Sequence, residues 1–168
     1  MKGLHKVLPI CLVLAGLVCS GCASSPTATL EANKTLIHLA VEQIHGQKWA
    51  EFTELHTPDF VCHTPGSPKP QTREELVQSL RELYVTFPDW RATVEDTIAE
   101  GGKVVIRQTC RGTHKGDIEE LGISATGKEV TLPVTIIFRI EGGKIAEAWE
   151  EYDMMSVMQQ IGAIPSGR

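Results

Sequence analysis

At Trp90 the spacing of apolar residues changes from about 3.6 to 2, and that change limits the chain to helices first and sheet afterwards. Before it, Leu36, Ile37, Ala40, Val41 and Ile44 recur at helical spacing over Asn33–His45, with Asn33 as N-cap and Gly46 as stop. Lys48–Leu55 forms a short second helix that Pro58 ends, and Phe60–Thr64 a short strand running into the turn-rich 65–70 segment. Thr72 and Glu75 make a capping box, so a third helix starts at Arg73 with Leu76, Val77, Leu80, Leu83 and Tyr84 on its apolar face. Beyond Trp90, alternation predicts strands over Arg91–Ala99, Lys103–Thr113, Val130–Ile140 and Lys144–Tyr152. Gly101-Gly102 and Gly142-Gly143 turn two hairpins, Lys115–Glu129 is a longer connection, and Met154–Ile161 closes with a helix. The class is α+β: a curved antiparallel sheet with helices on one face, enclosing a cone whose mouth suits a small apolar ligand.

The first residues obey neither period. Lys2 and Lys6 precede the apolar run Val7–Val18, which is shorter than the roughly 20 residues a membrane span needs and reads as a signal peptide. It ends in Ser20-Gly21-Cys22, which resembles a lipoprotein cleavage box with Cys19 where Leu is usual. The expected organisation is therefore a signal peptide over 1–21, a lipid on Cys22, a flexible tether over 22–30, a domain over 31–164 and a tail over 165–168. Such a protein sits at the cell envelope, anchored to the membrane and facing the periplasm or exterior; simple secretion is the alternative. Losing Lys2 and Lys6 leaves 14 basic residues against 21 acidic, a net charge of −7 that excludes nucleic acid as a partner. Of five cysteines, only Cys62 and Cys110 fall in the domain, either as a disulfide or as two buried thiols.

Several phrases, in order, resemble the SnoaL-like polyketide cyclase family of the nuclear transport factor 2-like superfamily. They are Phe60-Val61-Cys62-His63-Thr64-Pro65-Gly66, Phe87-Pro88-Asp89-Trp90, Arg111-Gly112-Thr113-His114-Lys115-Gly116, Leu121-Gly122-Ile123 with Thr126-Gly127-Lys128, and Ile137–Ile145. Glu147, Trp149, Asp153 and Gln159–Gly162 complete the set. The resemblance implies a cone-shaped pocket, frequent homodimerisation through the sheet, and an intramolecular aldol closure of a polyketide-like carbonyl compound without metal or cofactor. The same scaffold elsewhere serves as isomerase, hydrolase or plain binder.

An aldol closure needs a base beside a carbonyl and a donor for the enolate oxygen. His114 matches the histidine of the family's Gly-Thr-His phrase and shares strand parity with Ile106, Gln108 and Cys110. Alternation groups Ile145, Glu147 and Trp149, so Glu147 is the candidate acid if that face lines the pocket, and a solvated glutamate if it does not. His63 is either a ligand contact or a turn-bonding structural histidine; Tyr84, Trp90, Gln108, Ile136 and Trp149 are the other candidate pocket residues. Ile136 stands where many relatives carry an aspartate, which favours a non-catalytic ligand-binding lipoprotein over an enzyme. His56, Cys62, His63 and His114 lack metal-ligand spacing, so no metal site is expected.

Overall fold

The structure is a computed structural model that describes residues 25–165. The expected signal peptide, Cys22 and the last three residues lie outside that range. Four helices and six strands follow in the order α1 (Pro26–His45), α2 (Trp49–Glu54), β1 (His56–His63), β2 (Gln71–Thr72), α3 (Arg73–Thr86), β3 (Arg91–Glu100), β4 (Lys103–Thr113), β5 (Glu129–Glu141), β6 (Lys144–Tyr152) and α4 (Met154–Ile161). The sheet order is β2-β1-β6-β5-β4-β3. Its concave face carries the core, with Ile37 and Ala40 of α1, Phe52 of α2 and Tyr84 of α3 packed against Val104, Ile106, Leu132, Val134 and Ile145.

Four expectations change. Helix α1 begins at Pro26 rather than Asn33, because Ser25 caps it by accepting from the Ala28 amide and Pro26 suits a first-turn position that needs no N–H. Residues 26–30 are therefore helix, not tether, and Asn33 is buried inside α1. Strand β1 starts at His56, and Pro58 lies within it where pairing to β6 is interrupted between His56 and Val61, a place that asks no amide hydrogen of proline. The sheet is antiparallel except for one pairing: β1 runs parallel to β6, which the long excursion through α3 and four strands makes possible. The two-residue β2 adds an edge that sequence gave no reason to expect.

The rest follows the expected pattern. Thr72 and Glu75 bond reciprocally at the start of α3. The 115–128 connection is folded by a single turn of 3-10 helix at Glu119–Leu121, an Ile118–Ile123 bridge and Gly122 in the left-handed region at φ 63°. Among the described residues no helix is long and apolar enough to cross a membrane.

Candidate functional site

Helices α1–α3 roof the concave face without filling it, leaving a cavity of about 580 Å³, in the range of pockets that take drug-sized ligands. Its walls are apolar: Ile37 and Val41 from α1, Leu76, Leu80 and Leu83 from α3, Ile106, Val134 and Ile136 from the sheet. Polar residues of the roof and rim also border it, His45 on α1, Ser79, Glu82 and Thr86 on α3, and Thr64 and Gln71 beside β1, while those on the sheet side are placed by strand parity. Gln108 and Cys110 come from β4, Cys62 from β1, Glu150 and Tyr152 from β6 and His56 from the start of β1. Trp90, Gln108 and Ile136, named from the sequence, all line this volume; His63, Tyr84 and Trp149 do not.

Glu147 does not line it either, and the reason is a β-bulge. Arg139 pairs with Glu147 while the next residue, Ile140, pairs with Ile145, so Ala146 is an extra residue on β6. Alternation therefore restarts: Ile145 faces the cavity, Glu147 and Trp149 face out, and Ala148, Glu150 and Tyr152 face in. On the outer face Glu147 accepts from Arg139 Nε at 3.0 Å and bonds His63 Nε2 at 2.9 Å, while the His63 and Trp149 rings stack at 5.4 Å. The hydrogen bond from His63, then that from Arg139, holds the Glu147 carboxyl below its ordinary value, the opposite of the rise expected for a pocket acid. His63 thus spends its Nε2 on Glu147, and Tyr84 donates its hydroxyl to the Trp90 carbonyl at 3.3 Å.

His114 is fully buried but lies beyond the cavity wall. Phe87 and Trp90 close over Gly112, where a Cβ would lie 2.7 Å from Trp90 Cε3 and 3.2 Å from Phe87 Cβ, and only a glycine leaves them room. Past that barrier His114 packs on Phe87 at 5.4 Å, its Nδ1 taken by the Thr126 hydroxyl at 3.0 Å, and its backbone amide donates to the Lys128 carbonyl. Its position suits a residue that ties down the 115–128 connection.

The acid that sequence reading missed is Glu150. Its carboxyl borders the cavity with neither hydrogen bond nor ion pair among the described residues, and burial raises it from 4.5 to about 7. Glu150 pairs in register with Ile136 on β5, so a carboxyl stands on the neighbouring strand at the level of Ile136. Counting inward from Tyr152 rather than outward from Ile145 would have found it. Around it, burial first and Glu150 second push up both the Cys110 thiol, to about 12, and the Tyr152 hydroxyl. Burial likewise raises Cys62. The two thiols are free; β6 and β5 separate their strands, roughly 14 Å across the sheet, too far for a disulfide.

His56 is the opposite case. It is 2 % exposed, and burial lowers it from 6.5 to about 4, so it is neutral at physiological pH. Its Nδ1 donates to the Phe52 carbonyl at 2.8 Å, which fixes Nε2 as the bare nitrogen.

The sequence profile of the SnoaL-like polyketide cyclase family matches residues 34–161. No curated protein is similar enough in sequence to match. Among solved structures, IdmH, a proposed polyketide cyclase of Streptomyces antibioticus, is 29% identical with a TM-score of 0.70, over 77% of this chain and 98% of that one. A proposed SnoaL-like polyketide cyclase of Jannaschia sp. CCS1 is 24% identical with a TM-score of 0.73, over 84% and 98%. AclR, a proposed hydroxylase of Streptomyces galilaeus, is 22% identical with a TM-score of 0.74, over 83% and 86%. At those identities the last two speak for the fold alone.

Proposed function

Since the chain belongs to the SnoaL-like polyketide cyclase family, we propose that it performs cofactor-free proton transfer on a small apolar carbonyl compound, as a cyclase or isomerase, with Glu150 moving the proton. The observation that carries this reading is an unpartnered carboxyl, raised to about 7, on the wall of a mainly apolar cavity. A carboxyl in that state is divided between acid and base at neutral pH, which is what enolisation followed by reprotonation requires. As the carboxylate it would take a proton from the carbon next to the carbonyl. The developing enolate oxygen would then need a donor, and the Gln108 amide and Tyr152 hydroxyl border the same volume. The proton held on Glu150 would return to carbon, or to the alkoxide if the enolate has attacked a second carbonyl of the same molecule.

The test uses 4-acetylbiphenyl, an apolar ketone with exchangeable hydrogens beside the carbonyl. The protein in D₂O should speed deuterium incorporation into its methyl group, followed by NMR, and Glu150→Gln should slow that exchange by about 10² or more. Equal rates for the two proteins would sink the assignment.

A second reading, a non-catalytic binder held at the bacterial envelope, is favoured by Ile136, which cannot exchange a proton, and by the lipoprotein-like segment ending in Cys22. It predicts binding of the ketone without exchange. Lipidation itself is tested by incorporation of a labelled fatty acid in the bacterial host, which Cys22→Ser should abolish.

A further inference from the structure

The cavity holds a second polar feature that proton transfer at Glu150 does not use. His56 is clamped between the Phe52 and Phe60 rings, each centred 4.5 Å from its own, and lines the cavity where β1 begins. A carbonyl oxygen only accepts, so the bond from Nδ1 to Phe52 assigns the hydrogen to Nδ1 and leaves a lone pair on Nε2. Among the described residues, the side-chain atoms sealed off without a partner are Gln43 Oε1, Thr57 Oγ1, Gln108 Oε1 and His114 Nε2. His56 Nε2 has no partner either and is not sealed, and His56 is a residue of the cavity lining.

His56 pairs with Ile145, whereas Glu150 lies five residues further along β6. Allowing for the bulge, the two positions are roughly 15 Å apart along the sheet, and both line the one cavity. A molecule that reaches both is elongated. A buried acceptor costs about 1–3 kcal/mol when it is left unpaired, so a site of this kind discriminates against a ligand that brings no donor.

From this geometry we infer that His56 sets substrate specificity: its Nε2 accepts a hydrogen bond from a hydroxyl carried by an elongated apolar ketone at the end remote from the reacting carbonyl. The inference rests on the reading of the cavity as a substrate pocket. It assigns the substrate class as a hydroxy-ketone and gives His56 a positioning role, with no part in proton transfer. The lone pair is available throughout the neutral range because burial keeps the ring from taking a second proton until about pH 4.

The experiment measures binding of two probes, 4-acetylbiphenyl and 4-acetyl-4′-hydroxybiphenyl, to wild type, His56→Phe and His56→Gln by isothermal titration at pH 7.5. Wild type should prefer the hydroxylated ketone by about three- to tenfold. His56→Phe, which keeps an aromatic ring between Phe52 and Phe60, should abolish that preference, read as the ratio of the two affinities within the variant. His56→Gln, which restores an acceptor, should recover part of it and serves alone if the phenylalanine variant does not fold. Equal wild-type affinities, or a preference that survives in His56→Phe, would overturn the inference and leave the pocket reading standing. Failure of wild type to bind either ketone would overturn both.

Discussion

Replacing Glu150 by Gln should stabilise the protein at high pH and leave it unchanged at low pH. The carboxyl is raised from 4.5 to about 7 in the folded chain, so between those values the native state keeps a proton that the unfolded chain has released. Stability then falls as pH rises, by up to about 1.4 kcal/mol per pH unit, and levels off once both states are ionised. Over the full interval the loss is on the order of 3 kcal/mol, and water admitted to the cavity reduces it, so the expected value is about 1–3 kcal/mol. Glutamine has the shape of the protonated acid and no proton to lose. The variant should therefore match wild type at pH 4 and exceed it by that amount at pH 8, a shift of several degrees in Tm for a domain of this size. Urea unfolding followed by the fluorescence of Trp49, Trp90 and Trp149, at pH 4, 6 and 8, reads the difference directly. An advantage that does not grow between pH 4 and pH 8 would mean that the carboxyl is solvated or paired in the folded protein, and the acid/base reading would lose its basis.

Other expectations are simpler to check. Glu147→Gln removes an outer-face acceptor and should leave deuterium exchange into the ketone unchanged, whereas a loss like that of Glu150→Gln would return Glu147 to the site. Gly112→Ala forces a methyl group against Trp90 and Phe87 and should cost about 1–3 kcal/mol in urea unfolding. Cys62 and Cys110, buried with their thiols raised, should react with a disulfide reagent only after unfolding; fast labelling of the native protein would show the cavity open far wider than described.

Most of the frame could be read because it rests on local signals. The period change at Trp90, the Thr72–Glu75 box and the two glycine hairpins each act within a few residues, and each stands where expected. What could not be read depends on partners distant in sequence. The parallel pairing of β1 with β6 joins residues more than eighty positions apart, and nothing in either strand announces it. The Ser25-Pro26-Thr27 start of α1 has the composition of a linker; only the capping bond to Ala28 distinguishes a helix start from a tether. Within the site, Gln108 follows from simple alternation along a regular strand, Trp90 from being a large aromatic suited to a pocket wall, and Ile136 from the family resemblance. Alternation carried across Ala146 puts Glu147 and Trp149 on the wrong face and passes over Glu150. His114 was misassigned because strand parity says nothing of the wall that Phe87 and Trp90 raise over Gly112.

That extra residue at Ala146 carries a consequence for how such proteins change. Strand β6 holds three acids, Glu147, Glu150 and Glu151, and which of them enters the dry interior depends on whether an odd or even number of residues separates it from Ile145 once the bulge is discounted. A relative with the same residues and a regular strand would admit Glu147 and Trp149 and turn Glu150 out to water. The chemistry of the cavity can thus be exchanged through a change of pairing register alone, with no substitution, and two chains that align residue for residue need not offer their substrates the same carboxylate.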